Sequence, residues 1–533
     1  MRFLPVSLTT LLVELQNLDE TLALFASLQA DPVDGIVEMV PAARTLMVRF
    51  QPEVITASEL VAIIAGHDVS KALSASDQRV EIPVHYDGED LADVAELTGL
   101  SVEEVIRRHT ESIFTVAFCG FAPGFGYLVN GDPKLHVPRR KSPRTRIPAG
   151  SVALAGEFSG VYPQNSPGGW QIIGTTPVKM WDLDRNPPAL FQPGYQVRFI
   201  DLAHVPASYH LPPTRQIMQA PARDVTEGVA LKVLEAPMPA LIQDLGRFGQ
   251  TGQGVSSSGA LDQGAFKAAN RIVGNPLNTP CLEVTLGGFC FEITGRTVMA
   301  LTGASCPLQI ETHDGTSIPH STYQPVSLEA GDKVRLGFAV SGARSYLSFR
   351  GGIDAAMALG SAATDTLAVV GPEALVAGSV VGIGGVAERL LPVSLEEQPA
   401  FKHPIAGEEV VLDVVMGPRT DWFTHKGIET LFSQSWTVTP QSNRVGVRLA
   451  GDTPLERIDS RELPSEGTAT GAIQVPHSGQ PVLFLADHPL TGGYPVIATV
   501  AEYHLDLAGQ MPVNAKVRFR PITQFNEIEP AAR

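Results

Sequence analysis

Five cations stand close together in a chain that is otherwise acidic. The run Val137-Pro-Arg-Arg-Lys-Ser-Pro-Arg-Thr-Arg-Ile-Pro148 carries Arg139, Arg140, Lys141, Arg144 and Arg146. Its prolines bias the backbone towards extended conformations, which keeps the side chains apart. Arginine presents a planar fork of donors that suits phosphate or carboxylate. Like charges at this density repel unless something offsets them. The run therefore reads as an anion site, or else as a set of ion pairs with the acidic remainder of the chain. Just upstream, Gly120-Phe-Ala-Pro-Gly-Phe-Gly-Tyr127 combines small and aromatic residues. Its glycines would let backbone approach a ligand while Phe121, Phe125 and Tyr127 wall it. The same composition also suits a barrel corner. Downstream, Asn165-Ser-Pro-Gly-Gly-Trp-Gln171 offers the backbone N–H groups of Gly168 and Gly169 as a nest for an anion.

The second half has its own polar loops. Gln243-Asp-Leu-Gly-Arg-Phe-Gly249 precedes Gly254-Val-Ser-Ser-Ser-Gly-Ala-Leu-Asp262. Such a loop exposes Asp244, Arg247 and Asp262 to a ligand or pairs them with one another. Thr491-Gly492-Gly493-Tyr494, with Asp487 and His488 just before it, is a similar case. His85, His109 and His477 lie near these motifs, and the expected role of an isolated histidine is structural. No HExxH, no Gly-Lys dipeptide and no G-x-S-x-G occurs. Zincin chemistry, a Walker A loop and a nucleophile elbow are thereby excluded. No Met-Lys dipeptide offers a biotin attachment site.

These loops need a scaffold. At 533 residues the chain is too long for one core. Abundant Gly and Pro with short apolar runs indicate strands and turns. The net charge of -17 argues against nucleic acid and anionic membrane as partners. Cys119, Cys281, Cys290 and Cys306 show no CxxC spacing, so a reducing, cytoplasmic setting is expected. The N-terminus, with an early proline and Glu14 in its apolar stretch, does not read as a signal peptide.

Residues 1–75 read as a small α/β domain. Its helices are expected over Leu18 to Leu28 and Ala57 to Gly66, and its strands over Gly35 to Val40 and Thr45 to Phe50. Residues 80–205 begin with a strand, Val80 to Val84. Two helices follow, the second opened by a capping box from Ser101 to Glu104. The Pro- and Ala-rich stretch 206–228 is a candidate linker, and residues 229–395 and 408–523 are again strand-rich. Three segments echo one another: Gln192 to Phe199, Glu329 to Leu336 and Pro512 to Phe519. Each is a turn feeding a strand that alternates apolar and basic residues. Together they imply a mainly β chain with an α/β N-terminal domain and three related β-barrels in tandem.

Taken in order, the motifs resemble a known pair of families. Ile82-Pro-Val84, Gly120-Phe121, Pro123-Gly-Phe125, Pro138-Arg-Arg140, Pro148-Ala-Gly-Ser-Val152 and Ser166-Pro-Gly-Gly-Trp170 resemble the B-component of bacterial 5-oxoprolinase, the allophanate hydrolase subunit 1 family. Gln243-Asp-Leu-Gly-Arg247, Gly259-Ala-Leu-Asp262, Arg350-Gly-Gly-Ile-Asp354, Ser442-Asn-Arg444, Gly471-Ala-Ile-Gln-Val-Pro476 and Thr491-Gly-Gly-Tyr-Pro495 resemble its C-component, the allophanate hydrolase subunit 2 family. The resemblance implies cyclophilin-like barrels and ATP-dependent hydrolysis of 5-oxo-L-proline to L-glutamate with the separate A-component of 5-oxoprolinase. It also implies ATP and Mg2+ as cofactors, and a homo-oligomer is expected. In that reading Arg139, Arg140 and Arg144 meet phosphate or carboxylate, and Gly168 and Gly169 donate backbone hydrogen bonds. Phe121, Arg247, Thr491, Gly492 and Gly493 line the ligand, and Asp244 or Asp262 holds Mg2+ or orients water. The same modules resemble the carboxyltransferase portion of urea carboxylase, which makes a biotin-dependent carboxyltransferase the alternative. A kinase-regulating binding protein is a third reading. Three stretches depart from the C-component pattern: Gly360-Ser-Ala-Ala-Thr-Asp365, Asp487-His-Pro-Leu-Thr491 and the turn at Asn514.

Overall fold

A computed structural model describes residues 1–69, 78–140, 142, 144–204, 228–385, 389–459, 461 and 463–531. Lys141 and, apart from Gly228, the expected linker lie outside the described residues.

The first domain is a four-stranded sheet in the order Arg2–Pro5, Thr10–Glu14, Thr45–Phe50, Ile36–Pro41. Helices Leu18–Ala30 and Ala57–Ile64 cover one face through Leu24, Leu28, Leu60 and Ile64. Sequence reading missed the first two strands, for a physical reason. Leu11 and Val13 face that helical core, while Leu4 and Leu12 face a second cluster with Val40 and Met47. A strand buried on both faces shows no alternation. The capping box expected at Ser101 is half formed. The Ser101 side chain accepts from the Glu104 N–H, but the Glu104 carboxylate is taken by Arg107 and Arg108. A complete box stands instead at Thr56 and Glu59.

Residues 79–201 form a seven-stranded sheet. From its first strand the order runs Arg79–Val84, Gln196–Asp201, Phe114–Cys119, Gly126–Val129, Phe158–Val161, Ser151–Ala155, Gln171–Thr175. The edges meet, because His85 and Thr175 exchange backbone hydrogen bonds of 2.8 Å. Fully buried His109 bonds Tyr86 and Ser159 and stacks on Phe199, so it is structural, and burial pushes its pKa down to about 3.

The last domain is a closed barrel with the same topology. Its order is Glu409–Met416, Lys516–Pro521, Trp436–Val438, Gly446–Ala450, Val482–Phe484, Ala472–Gln474, Val496–Val500. In both barrels the final strand pairs parallel with the first. In both, a two-stranded ribbon stands apart: Arg144–Ile147 with Ser166–Gly168, and Glu466–Gly467 with Thr491–Gly492. Gly168 lies opposite Arg144 as Gly492 lies opposite Glu466. The Asp90 N–H donates to the Ile172 carbonyl and the Arg419 N–H to that of Val496, both at 2.9 Å. These correspondences make Asp90 and Arg419 equivalent, and likewise Arg144 and Glu466.

The expected third barrel is not a closed one. Residues 229–383 form a six-stranded and a five-stranded sheet around one core containing Leu282, Phe291, Leu301 and Phe349. The strand expected to close it, Lys333–Leu336, is flanked on both sides by antiparallel partners, Cys290–Ile293 and Leu308–Glu311. It therefore has no edge left for a parallel opening strand. Among the described residues, no helix is long and apolar enough to cross a membrane.

Candidate functional site

The basic run is organised by a residue that sequence reading passed over. Asp90, just before the helix Leu91–Thr98, is 1% exposed. Arg140 donates to its Oδ1, Arg144 donates to both oxygens at 2.8 and 2.9 Å, and the Ile172 N–H adds a bond of 2.7 Å. Burial opposes ionisation of Asp90, yet these bonds and the two guanidinium charges hold its carboxyl below the usual range. Arg144 also reaches Glu89 at 3.0 Å. Arg140 and Arg144 are thus largely committed to ion pairs within the chain, one of the two outcomes the sequence left open. Arg139 lies against the second half. A Cβ on Gly493 would sit 3.3 Å from its Nη1.

The glycines of Ser166-Pro-Gly-Gly-Trp170 pack rather than forming an open nest. The Gly169 carbonyl accepts from the Arg140 N–H at 2.7 Å. A Cβ on Gly168 would lie 2.4 Å from the Tyr162 hydroxyl oxygen, so only glycine fits. Burial, with Tyr127 adding, raises the Tyr162 phenol pKa, and Arg139 and Arg144 pull it back. Tyr162 is therefore within electrostatic reach of Arg139.

The glycine–aromatic loop meets the second half as well. Phe121 adopts a left-handed φ of 65°, and its N–H donates to the Thr491 hydroxyl at 3.0 Å. A Cβ on Gly120 would fall 2.5 Å from that same oxygen. The Phe121 ring makes edge contacts with Phe125 and Tyr162, and Phe125 packs on Trp170. Thr491 is 2% exposed, so it braces this loop and is not the ligand contact the sequence reading expected. Gly124 and Ala189 both donate to the 251–254 turn: their N–H groups bond the backbone carbonyl and the side-chain carbonyl of Gln253 respectively. The junction thus joins Phe121, Arg139 and Tyr162 of one half to Thr491 and Gly493 of the other.

Three expected site residues belong elsewhere. Asp244 is 1% exposed and accepts from Ser361, Gly246 N–H and Ala362 N–H, which uses both oxygens to hold turns. Asp262 caps the helix Gln263–Val273 by accepting from the Ala265 N–H, and its other oxygen accepts from Gln510. Burial, reinforced by Asp506, pushes its pKa up to about 7. Both carboxylates are spent, so neither fits an Mg2+ ligand, and among the described residues no acidic, His or Cys cluster is arranged for a metal ion. Arg247, 2% exposed, points into the chain, donating to the Ala363 carbonyl with Nη1 4.0 Å from Asp365. It too is structural rather than ligand-lining. The altered stretch Gly360 to Asp365 supplies the partners of both Asp244 and Arg247.

Behind the junction lies a second network. Arg444 donates to both oxygens of Asp487 at 3.0 Å, to Glu283 and to the Gly259 carbonyl at 2.7 Å. Ser258 and Thr366 also bond Asp487. This ties the last barrel to the middle domain. Glu283 lies in an apolar strand, and no pattern in the sequence marks it.

Fold and site together define a protein of duplicated barrel modules whose candidate site is built at the seam between two halves. The chain belongs to the carboxyltransferase-domain family: residues 1–191 match "Carboxyltransferase domain, subdomain C and D" and residues 253–521 match "Carboxyltransferase domain, subdomain A and B". It is 35% identical over 304 residues to the C-component of 5-oxoprolinase from Escherichia coli (strain K12), covering 54% of this chain and 90% of that protein. It is 40% identical over 170 residues to the B-component of 5-oxoprolinase from Escherichia coli O157:H7, covering 31% and 78%. Urea amidolyase of Saccharomyces cerevisiae is 36% identical over 304 residues, covering 53% of this chain but 16% of that protein. The crystal structure of TTHA0988 superposes with a TM-score of 0.80 at 32% identity, covering 96% of this chain and 99% of that one. The B-like and C-like parts are therefore fused in one chain.

Proposed function

We propose that the chain is the fused B–C component of an ATP-dependent 5-oxoprolinase, which opens 5-oxo-L-proline to L-glutamate together with a separate A-component. The observation that carries this reading is the seam itself. Arg139 and the Phe121 and Tyr162 rings come from the B-like half, and Gly493 and the brace Thr491 from the C-like half. A cation beside aromatic walls suits a small carboxylate-bearing ring or a phosphate.

A lactam carbonyl is a weak electrophile. Transfer of the γ-phosphoryl group of ATP to the amide oxygen releases ADP and makes the ring carbon open to water. Water adds to that carbon, and the C–N bond breaks as the nitrogen takes up a proton, giving γ-glutamyl phosphate; a second water hydrolyses this acyl phosphate to glutamate and phosphate. The contribution we assign to this chain is positioning and charge neutralisation by Arg139, with Arg140 and Arg144 held alongside by Asp90. The carboxylates of Asp244 and Asp262 are already committed to hydrogen bonds within the chain. The reading extends to a reducing, cytoplasmic compartment, supported by four free and buried cysteines. The test mixes the chain with the A-component and follows glutamate release from 5-oxo-L-proline, expected only when ATP is present. No release under either condition sinks the reading.

A second reading has an observation of its own. The likeness to urea amidolyase favours a biotin-dependent carboxyltransferase acting on urea or a related amide. Turnover of carboxylated biotin without ATP-dependent glutamate release would select it.

A further inference from the structure

The end of the chain is packed against its beginning. In the sheet of the first domain Arg2–Pro5 is an edge strand, with Thr10–Glu14 on its inner side. Such an edge offers backbone groups to any extended segment laid beside it. Here that segment is the chain's own tail. After the last strand, Lys516–Pro521, residues 522–531 form no helix or strand and cross from the last barrel to the first domain.

The crossing is made by a few contacts. The Ile522 N–H still donates to the Val414 carbonyl at 2.9 Å, and the Thr523 hydroxyl accepts from the Met416 N–H at 3.0 Å. Phe525 then packs on two clusters at once, the last-barrel core and the first-domain set of Leu4, Val40 and Met47. A Cβ on Gly417 would lie 3.3 Å from the Phe525 ring and would strike Pro5, so glycine lets the three meet. Ile528 packs on the first-domain core that contains Phe3, Leu24 and Leu60. Its N–H donates to the Phe3 carbonyl on the edge strand at 2.8 Å, and the Ala531 N–H donates to the Ser58 carbonyl at 3.0 Å. Arg2 bonds Glu527 of the tail at 2.8 Å while pairing with Glu14 beside it and with Asp421 of the last barrel. Phe525, Ile528 and Ala531 are half-buried, and Asn526, Glu527, Glu529 and Pro530 are exposed. A buried face at every third residue matches the period of an extended three-fold helix, which makes no ladder of backbone bonds.

We propose that the edge strand Arg2–Pro5, with Ser58 of the helix Ala57–Ile64, forms a groove for an extended peptide carrying apolar residues three apart. Its resident occupant is the chain's own segment from Phe525 to Ala531, which acts as a separable clasp holding the first domain on the ribbon of the last barrel. The seat on that ribbon is otherwise made by the Ala43 N–H on the Ser465 carbonyl at 3.1 Å and by Glu14 on Arg419 at 3.0 Å. The clasp is separable because two apolar side chains, two backbone bonds and one partly exposed ion pair carry it, and each core it touches is built mainly from residues outside it. Recognition of an extended segment by a sheet edge and apolar pockets is a general mode of peptide binding.

The test deletes residues 525–533 and adds back a labelled synthetic peptide of residues 522–533, with binding read by fluorescence anisotropy. The shortened chain is expected to bind it saturably, and the full chain about tenfold more weakly because its groove is filled. The same peptide with Ile528→Asp is expected to lose about tenfold in affinity for the shortened chain. Equal binding by the two chains, or none by a folded shortened chain, overturns the proposal. Ile528→Asp in the full chain supplies a second measure that needs no deletion. Amide exchange over residues 41–44, where the Ala43 bond reports the seat on the ribbon, should rise about tenfold while residues 341–349 of the middle domain stay unchanged. No rise at 41–44 overturns the clasp, and so does an equal rise at 341–349, since the tail would then belong to the global fold. A full-length dimer that the deletion converts to monomer also overturns it, because the occupant would be the tail of a second copy.

Discussion

Removal of the Arg444 guanidinium should unfasten the last barrel from the middle domain. Its side chain is 4% exposed, and the two carboxylates it bonds, Glu283 and Asp487, are 1% and 0% exposed. Arg444→Met fills much of the same volume but leaves both acids buried and uncompensated. Breaking a buried pair in this way costs about 3–5 kcal/mol. For a unit of this size that corresponds to a fall in Tm of roughly 10 °C. Trp436, buried in the core of the last barrel, supplies a fluorescence signal for urea and thermal unfolding. Arg444→Met/Glu283→Gln/Asp487→Asn should recover part of the loss, because the acids are then neutral. A loss under about 1 kcal/mol in the single variant, or a further loss in the triple, would refute the view that charge compensation holds this seam.

Asp90→Asn should cost about 2 kcal/mol by chemical denaturation, less than a fully buried pair because its arginines are partly exposed. The folded pKa of Asp90 is depressed, so its stabilisation is present above the unfolded carboxylate range and is lost as pH falls through the folded value. The variant should therefore flatten the acid limb of a stability–pH profile. Asp262 works in the opposite sense. Its pKa is raised to about 7, so its contribution is fullest below the unfolded value near 4 and is lost as pH rises through about 7. Asp262→Asn, which still caps the helix, should reduce the drop in stability between pH 5 and pH 8. Thr491→Val should speed amide exchange at Phe121 about tenfold, with Thr491→Ser restoring it, as measured by exchange mass spectrometry on residues 118–128.

Much of the architecture was readable from local patterns. The helix over Leu18–Ala30 and the strand pair ending at Phe50 are set by periodicity, which is a property of neighbours along the chain. The strand Thr10–Glu14 was not readable, because burial on both faces erases alternation. The closing strands at Gln196 and Lys516 do close barrels, but the similar segment at Lys333 does not, because its fate depends on which strands lie beside it.

For the candidate site, the sequence by itself determined the chemical types: a basic run, aromatic loops, glycine turns and their family order, since these are written in residue identity and spacing. Only the tertiary structure decided which of them act together. It paired Arg140 and Arg144 with Asp90 across 50 and 54 positions and brought Thr491 to Phe121 across 370. It also withdrew Asp244, Arg247 and Asp262 into the interior. A side chain's charge is local, but its partner is chosen by strand order and by the cost of leaving a buried charge uncompensated, and neither is visible in a window of sequence.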